Sequence, residues 1–157
     1  MKFVGGQPTG CSPIATAFAA GEELVKPVRR PETIVRSLAI GSPADGRYAL
    51  DLARRTQGSI ESIPDERTAA AIRQVAALEG IYPETAGGVT IAAAEAARSA
   101  GVIGPDDEVV ILLTGNGLKT PDARSFGLLD GVAKPGQPGL APAIPPSLIA
   151  FERWIEA

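Results

Sequence analysis

The sequence predicts an α/β architecture: a three-layer arrangement in which a parallel sheet carries helices on both faces, with the sheet incomplete. Three observations carry this prediction. Short apolar runs alternate with helix-length amphipathic segments at the spacing of strand–helix units. Residues 108–113, EVVILL, are apolar without alternation, the pattern of a strand buried on both faces of a parallel sheet. Only three strand-like runs occur in 157 residues, the first beginning at residue 3, so the sheet is thin and its edges are open to pairing.

Each element follows from local chemistry. Residues 2–6 form a short apolar run emptying into a Gly/Pro loop, as a strand does. Ser12-Pro13 opens a helix, since Ser accepts from free backbone N–H groups and Pro is tolerated at the first helical position; Gly21 ends it. A prolyl stretch leads to a second short helix predicted over 31–40, closed by Gly41. Asp45 is placed to cap a helix with Tyr48, Ala49, Leu52 and Ala53 on one face. Residues 58–63 read as a strand anchored by Ile60 and Ile63. Asp65 and Glu66 then begin a helix, where the dipole favours acids, with Ala69, Ile72, Val75 and Ala76 on its face and Gly80 at its end. A small-residue helix over 86–100 stops at Gly101. From 127 to 146 the chain is rich in Gly and Pro and is expected to run over the surface. A last helix over 147–155 offers Leu148, Phe151, Trp154 and Ile155 as a docking face. This divides the chain into a partial domain, 1–126, and a tail with a docking helix, 127–157.

Composition excludes several functions. The sequence contains no histidine, which removes His-dependent triads, His metal sites and His general bases. Its single cysteine, Cys11, cannot make an internal disulfide, and no zinc-ligand spacing occurs, so a reducing cytoplasm is expected. A net charge of −3 without a basic stripe speaks against nucleic acid as a partner. No signal segment or uncharged span of about 18 residues indicates a membrane. Aromatics are 4% of the residues, so the core has to rest on Ala, Ile, Leu and Val.

The strongest local signal is LLTGNGLKTPD, residues 112–122. Ligands of open α/β sheets bind beyond the carboxyl ends of strands, which puts the Thr114 hydroxyl where a ligand would meet it. Gly115 and Gly117, alternating with Asn116, let backbone approach a flat ligand closely. A plain strand-to-loop turn would use the same glycines, and spacing alone leaves both readings open. The spacing is not that of a Walker phosphate loop. In GIYPETAGGVT, residues 80–90, Glu84 precedes a helix start of small residues. That start suits an anion or close packing, but the expected reading from sequence alone is that Glu84 and Thr85 merely cap the helix. Cys11 near a helix start could have a lowered pKa, but with no His to serve as its base a packing role is expected. The four lysines, Lys2, Lys26, Lys119 and Lys134, all lie in polar or Gly/Pro contexts, unlike a desolvated lysine activated for covalent catalysis.

Taken in order, GGQPTGCSPIATAF, VRRPETIVRSLAIGSP, the run from GSIESIP to ETAGG, VVILLTGNGLKTPD and IPPSLIAFERW resemble the rear half of threonine synthase, a fold-type II pyridoxal-phosphate (PLP) enzyme. The resemblance covers nearly the whole chain. It implies that the chain is the C-terminal part of that enzyme's large domain, with PLP as the cofactor of the complete enzyme and weak or absent binding here. It also implies that Thr114 meets the PLP pyridine nitrogen. A neutral hydroxyl does not favour a protonated ring as an aspartate would, and so tunes the ring's electron withdrawal. The implied reaction takes O-phospho-L-homoserine and water to L-threonine and phosphate. Asn116 stands where relatives often carry His, and no catalytic role is assigned to it.

The departure matters more than the match. The family's covalent lysine, its asparagine near the ring oxygen and its glycine-rich phosphate loop all precede the segment that corresponds to Met1. None of those motifs occurs here, so residue-by-residue transfer yields one cofactor contact, Thr114, and no catalytic residue. The chain alone is expected to make no threonine. An N-terminal half, as a separate or missing chain, is the partner this implies, and an open sheet edge makes a homodimer a further possibility. The competing readings are a non-catalytic binding domain on the same scaffold, and a related PLP lyase such as threonine dehydratase or cysteate synthase.

Overall fold

The computed structural model describes residues 1–120 and 145–156. Its sheet has two strands, β1 (Val4–Pro8) and β2 (Ser59–Ile63), paired in parallel with Val4 opposite Ser59 and Pro8 opposite Ile63. Two glycines make β1 a poor strand former by itself, so the pairing with β2 fixes it. Alternation then sends successive side chains to opposite faces. A Cβ on Gly6 would lie 2.9 Å from both Val89 and Ala93, so Gly6 faces helix α4 (Thr85–Ser99) at close approach. Gln7, next along the strand, points the other way. Its Oε1 accepts from the N–H groups of Ile14 (2.8 Å) and Ala15 (3.0 Å) at the start of helix α1 (Pro13–Ala19). Helices therefore flank both faces, as the sequence predicts.

Gln7 also corrects the expected cap. Ser12 makes no capping hydrogen bond, and the strand's glutamine takes that role from five residues upstream of Ser12. Helix α2 (Gly46–Arg55) follows Asp45, which likewise makes no side-chain cap bond. Helix α3 (Asp65–Glu79) ends at Gly80, whose φ of +67° is left-handed and suits glycine, and Gly101 after α4 has φ +75°. The small residues of α4 serve close packing against α3 and β1. A Cβ on Gly88 would stand 2.7 Å from the Ile72 side chain and from the Thr68 carbonyl oxygen. The main core gathers Val35, Ile63, Ala71, Val89, Ile91, Ala92 and Ala93.

Two expectations fail, each for a physical reason. Residues 31–40 form no α-helix, only a 3-10 turn at Arg36–Leu38. The Asp65 carboxylate accepts from the Thr33 hydroxyl (2.6 Å) and the Ile34 N–H (2.9 Å), which holds that segment extended and drives Val35 into the core. Ile60 and Ile63, the expected anchors of β2, fall on opposite faces, because residues three apart on a strand point oppositely; Ile63 is buried against α4 while Ile60 lies half-buried under Gly5. Residues 108–113 are not a hydrogen-bonded strand, since no neighbouring strand among the described residues pairs with them. The final helix, α5 (Leu148–Ile155), forms as predicted, with the Ser147 hydroxyl accepting from the Ala150 N–H at 3.2 Å. Its four predicted docking residues are exposed, and Phe151 and Trp154 stack with ring centroids 6.4 Å apart. Most of the Gly/Pro stretch lies outside the described residues.

Candidate functional site

The fold joins the two motifs that the sequence singled out separately. Pro83 and Asn116 form an antiparallel bridge. The Glu84 N–H donates to the Gly115 carbonyl (3.0 Å), and the Gly117 N–H donates to the Tyr82 carbonyl (2.8 Å). TGNG and YPET are thus zipped together at the N-terminus of α4. Leu113, just before the motif, packs against the core beside Gly87, where a Cβ would stand 3.4 Å from Leu113 Cδ2.

This contact explains why glycine occupies both positions. A Cβ on Gly115 would overlap the Glu84 carboxylate, and one on Gly117 would lie 2.5 Å from the Tyr82 ring. The Glu84 side chain makes no cap bond to α4. It lies across Gly115, one residue from Thr114, so the plain-cap reading of Glu84 does not hold. Tyr82 is anchored from below by Ala69 and Ile72. Asn116 spends its Oδ1 on the Leu118 N–H (2.9 Å), which starts the 3-10 turn Gly117–Lys119. That local role accounts for Asn116 without chemistry.

Thr114 itself is exposed, and among the described residues nothing hydrogen-bonds its hydroxyl. One step past Glu84, the fully buried Thr85 hydroxyl also has no partner among them. An unmet buried hydroxyl costs about 1–3 kcal/mol, so this corner carries unused hydrogen-bonding capacity. The arrangement offers a free neutral hydroxyl at Thr114, followed by a turn whose glycines are covered by the Glu84 carboxylate and the Tyr82 ring.

The remaining candidates are accounted for structurally. Lys2 Nζ donates to the Val102 carbonyl (2.6 Å) and lies 3.8 Å from Asp107, Lys26 pairs with Glu22 (2.6 Å), and Lys119 is exposed. Lys134 lies outside the described residues. Cys11 is fully buried, and desolvation pushes its thiol pKa up, opposite to the lowering that a helix start would give. Among the described residues no cluster of His, Cys, Asp and Glu could hold a metal, and no helix is long and apolar enough to cross a membrane. Sequence reasoning missed the pairing of Glu84 and Tyr82 with the Gly115–Gly117 turn. The available signal was that both motifs spend glycines where close approach is needed.

The chain is similar to known proteins in sequence and in fold. The family described as "Pyridoxal-phosphate dependent enzyme" matches residues 1–115. The threonine synthase of Methanosarcina acetivorans is 38% identical over 120 residues, covering 76% of this chain and 30% of that protein. That of Methanocaldococcus jannaschii is 36% identical over 122 residues, with 78% and 30% coverage. Among solved structures, Escherichia coli threonine synthase superposes with a TM-score of 0.62 at 18% identity, covering 98% of this chain and 32% of that one. A fungal L-serine ammonia-lyase from Rhizomucor miehei gives 0.60 at 19% identity, covering 78% and 40%. At these identities the two structures establish the fold alone. The chain spans about 30% of the length of the curated relatives it matches.

Proposed function

The chain belongs to the pyridoxal-phosphate-dependent enzyme family, and from that premise we propose that it supplies the C-terminal part of a threonine synthase acting in the cytoplasm. The complete enzyme would convert O-phospho-L-homoserine and water to L-threonine and phosphate. Residues 1–126 would be part of its large domain and 127–157 a tail. The observation that carries this reading is the identity of 36–38% to threonine synthases over three quarters of the chain, which includes both paired motifs. The same match favours threonine synthase over the ammonia-lyase chemistry of the fungal neighbour, whose likeness is one of fold.

The residues present fit one edge of PLP. The free Thr114 hydroxyl would meet the ring nitrogen. PLP, when bound, supplies the electron sink for bond breaking next to the substrate's amino carbon. Thr114 would orient the ring and, being neutral, leave its nitrogen without a full proton. The Glu84 side chain over Gly115 and the Tyr82 ring over Gly117 would hold the turn that follows Thr114 in position. No lysine among the described residues is desolvated, and the sequence has no phosphate loop, so covalent attachment and phosphate anchoring fall to the rest of the enzyme.

The test is phosphate release from O-phospho-L-homoserine. The purified 157-residue chain with PLP should give none above background. Adding the part of the Methanosarcina enzyme outside the matched region should restore release together with threonine. Turnover by the chain alone would overturn the division of labour proposed here.

A further inference from the structure

We propose that the hydroxyls of Thr9 and Ser62, with Arg29 and Arg30 from the segment that crosses Gly10, form a binding site for a phosphate-type anion. Its source is either free inorganic phosphate or the phosphoryl group of an amino-acid phosphate. The inference goes beyond the functional reading above and stands on a different part of the chain.

Thr9 follows the last residue of β1 and Ser62 is the penultimate residue of β2, so the parallel pairing brings both to the carboxyl end of the sheet. The Ser62 hydroxyl donates to Thr9 Oγ1 at 3.1 Å. That bond spends the Ser62 proton and leaves the Thr9 O–H without an acceptor among the described residues, with both side chains exposed. The backbone of Thr9 is held from both sides. Pro8 before it is fully buried, and the Glu32 N–H donates to the Gly10 carbonyl after it (3.1 Å). A Cβ on Gly10 would overlap the Glu32 carbonyl, so the 3-10 turn Thr9–Cys11 is clamped under the crossing segment. A fixed, unspent donor thus stands where open α/β sheets meet their ligands.

The crossing segment supplies the charge. Arg29 and Arg30 come just before Pro31 and Glu32, both are exposed, and neither has an ion pair or hydrogen bond among the described residues. Glu32 is exposed too and opposes them, which leaves two guanidinium groups against one carboxylate. Asp65, just past β2, is spent on the Thr33 hydroxyl (2.6 Å) and the Ile34 N–H (2.9 Å). Guanidinium groups pair bidentately with phosphate oxygens, and a hydroxyl donor can fix a further oxygen, so the set favours a tetrahedral oxyanion.

The experiment is an amide NMR titration of the 157-residue chain with inorganic phosphate, O-phospho-L-homoserine and L-homoserine, at constant ionic strength so that screening is fixed. Inorganic phosphate should give saturable shifts at Thr9, Gly10 and Ser62. Thr9→Val, which keeps the shape and removes the hydroxyl, should weaken binding by about fivefold or more. Arg29→Gln combined with Arg30→Gln should weaken it by about tenfold or more. Ser62→Ala, which frees the Thr9 hydroxyl to rotate, should weaken it by about threefold and keeps the test decisive should the dispersion of the amide spectrum show Thr9→Val misfolded. Tighter binding of O-phospho-L-homoserine than of phosphate supports the site with a phosphorylated amino acid as its source, and equal binding supports it with free phosphate. The same shifts with L-homoserine, which carries no phosphate, would overturn the proposal. So would the absence of saturable shifts, or shifts that survive every substitution and scatter over other basic residues, the mark of an adventitious ion only. Threonine formation by the mixture described above is read separately, so the site and the assigned reaction can each fail alone.

Discussion

At the residue scale, the sidedness of each strand decides which side chains do what. Gly6 and Gln7 are neighbours, yet one makes room for α4 and the other caps α1. Gly115 and Gly117 are required by what lies over them, the Glu84 carboxylate and the Tyr82 ring. Cys11 shows how burial overrides a favourable position. Desolvation raises its pKa in the folded protein, so the native state holds the thiol proton more tightly than the unfolded chain does. The stability tied to that proton is fully present below the unfolded thiol value of about 8.5 and is lost as pH rises past it. Denaturant midpoints should therefore decline above that pH more steeply in the native protein than in Cys11→Ala. Equal slopes in the two proteins would remove the thiol from the explanation.

At the element scale, the segment before α2 is the most instructive. Local propensity reads 31–40 as a helix, but the chain there is tied by Thr33 and Ile34 to Asp65, more than thirty residues away, and the tie buries Val35. Asp65 was legible as an acid at a helix start; its partners were not, because a contact across that sequence distance has no local signature. Asp65→Ala should strand the Ile34 N–H and the Thr33 hydroxyl and cost about 1–3 kcal/mol, read as a lower urea midpoint with unchanged slope. Thr33→Ala in the Asp65→Ala background should add less than it does alone. Full additivity would mean that the two groups do not share an interaction. The helix stops were legible throughout α3 and α4, since Gly80 and Gly101 take left-handed conformations that depend only on the chain's own sterics.

At the scale of the whole molecule, the described residues form an α/β arrangement whose lysines lie at the surface. Lys2 and Lys26 are engaged with acids at the surface, and Lys119 is exposed after the 3-10 turn. Mixing the purified chain with PLP, reducing with borohydride and mapping the peptides should yield no stoichiometric adduct at a unique lysine. A one-to-one adduct at Lys119 would reveal a self-sufficient cofactor site and reverse the assignment of that role to the rest of the enzyme.

The sequence by itself determined most of the alternation of elements, the glycine stops of α3 and α4 and the two motifs, because these depend on residues within a few positions of one another. It also excluded histidine chemistry and singled out Thr114. Tertiary structure decided which motifs meet. The bridge between Pro83 and Asn116 sets Glu84 across Gly115, and no periodicity over more than thirty intervening residues records it. It also decided that EVVILL, written for burial on both faces, stands unpaired among the described residues. A strand is a relation between two segments, and the apolar run specifies only one of them.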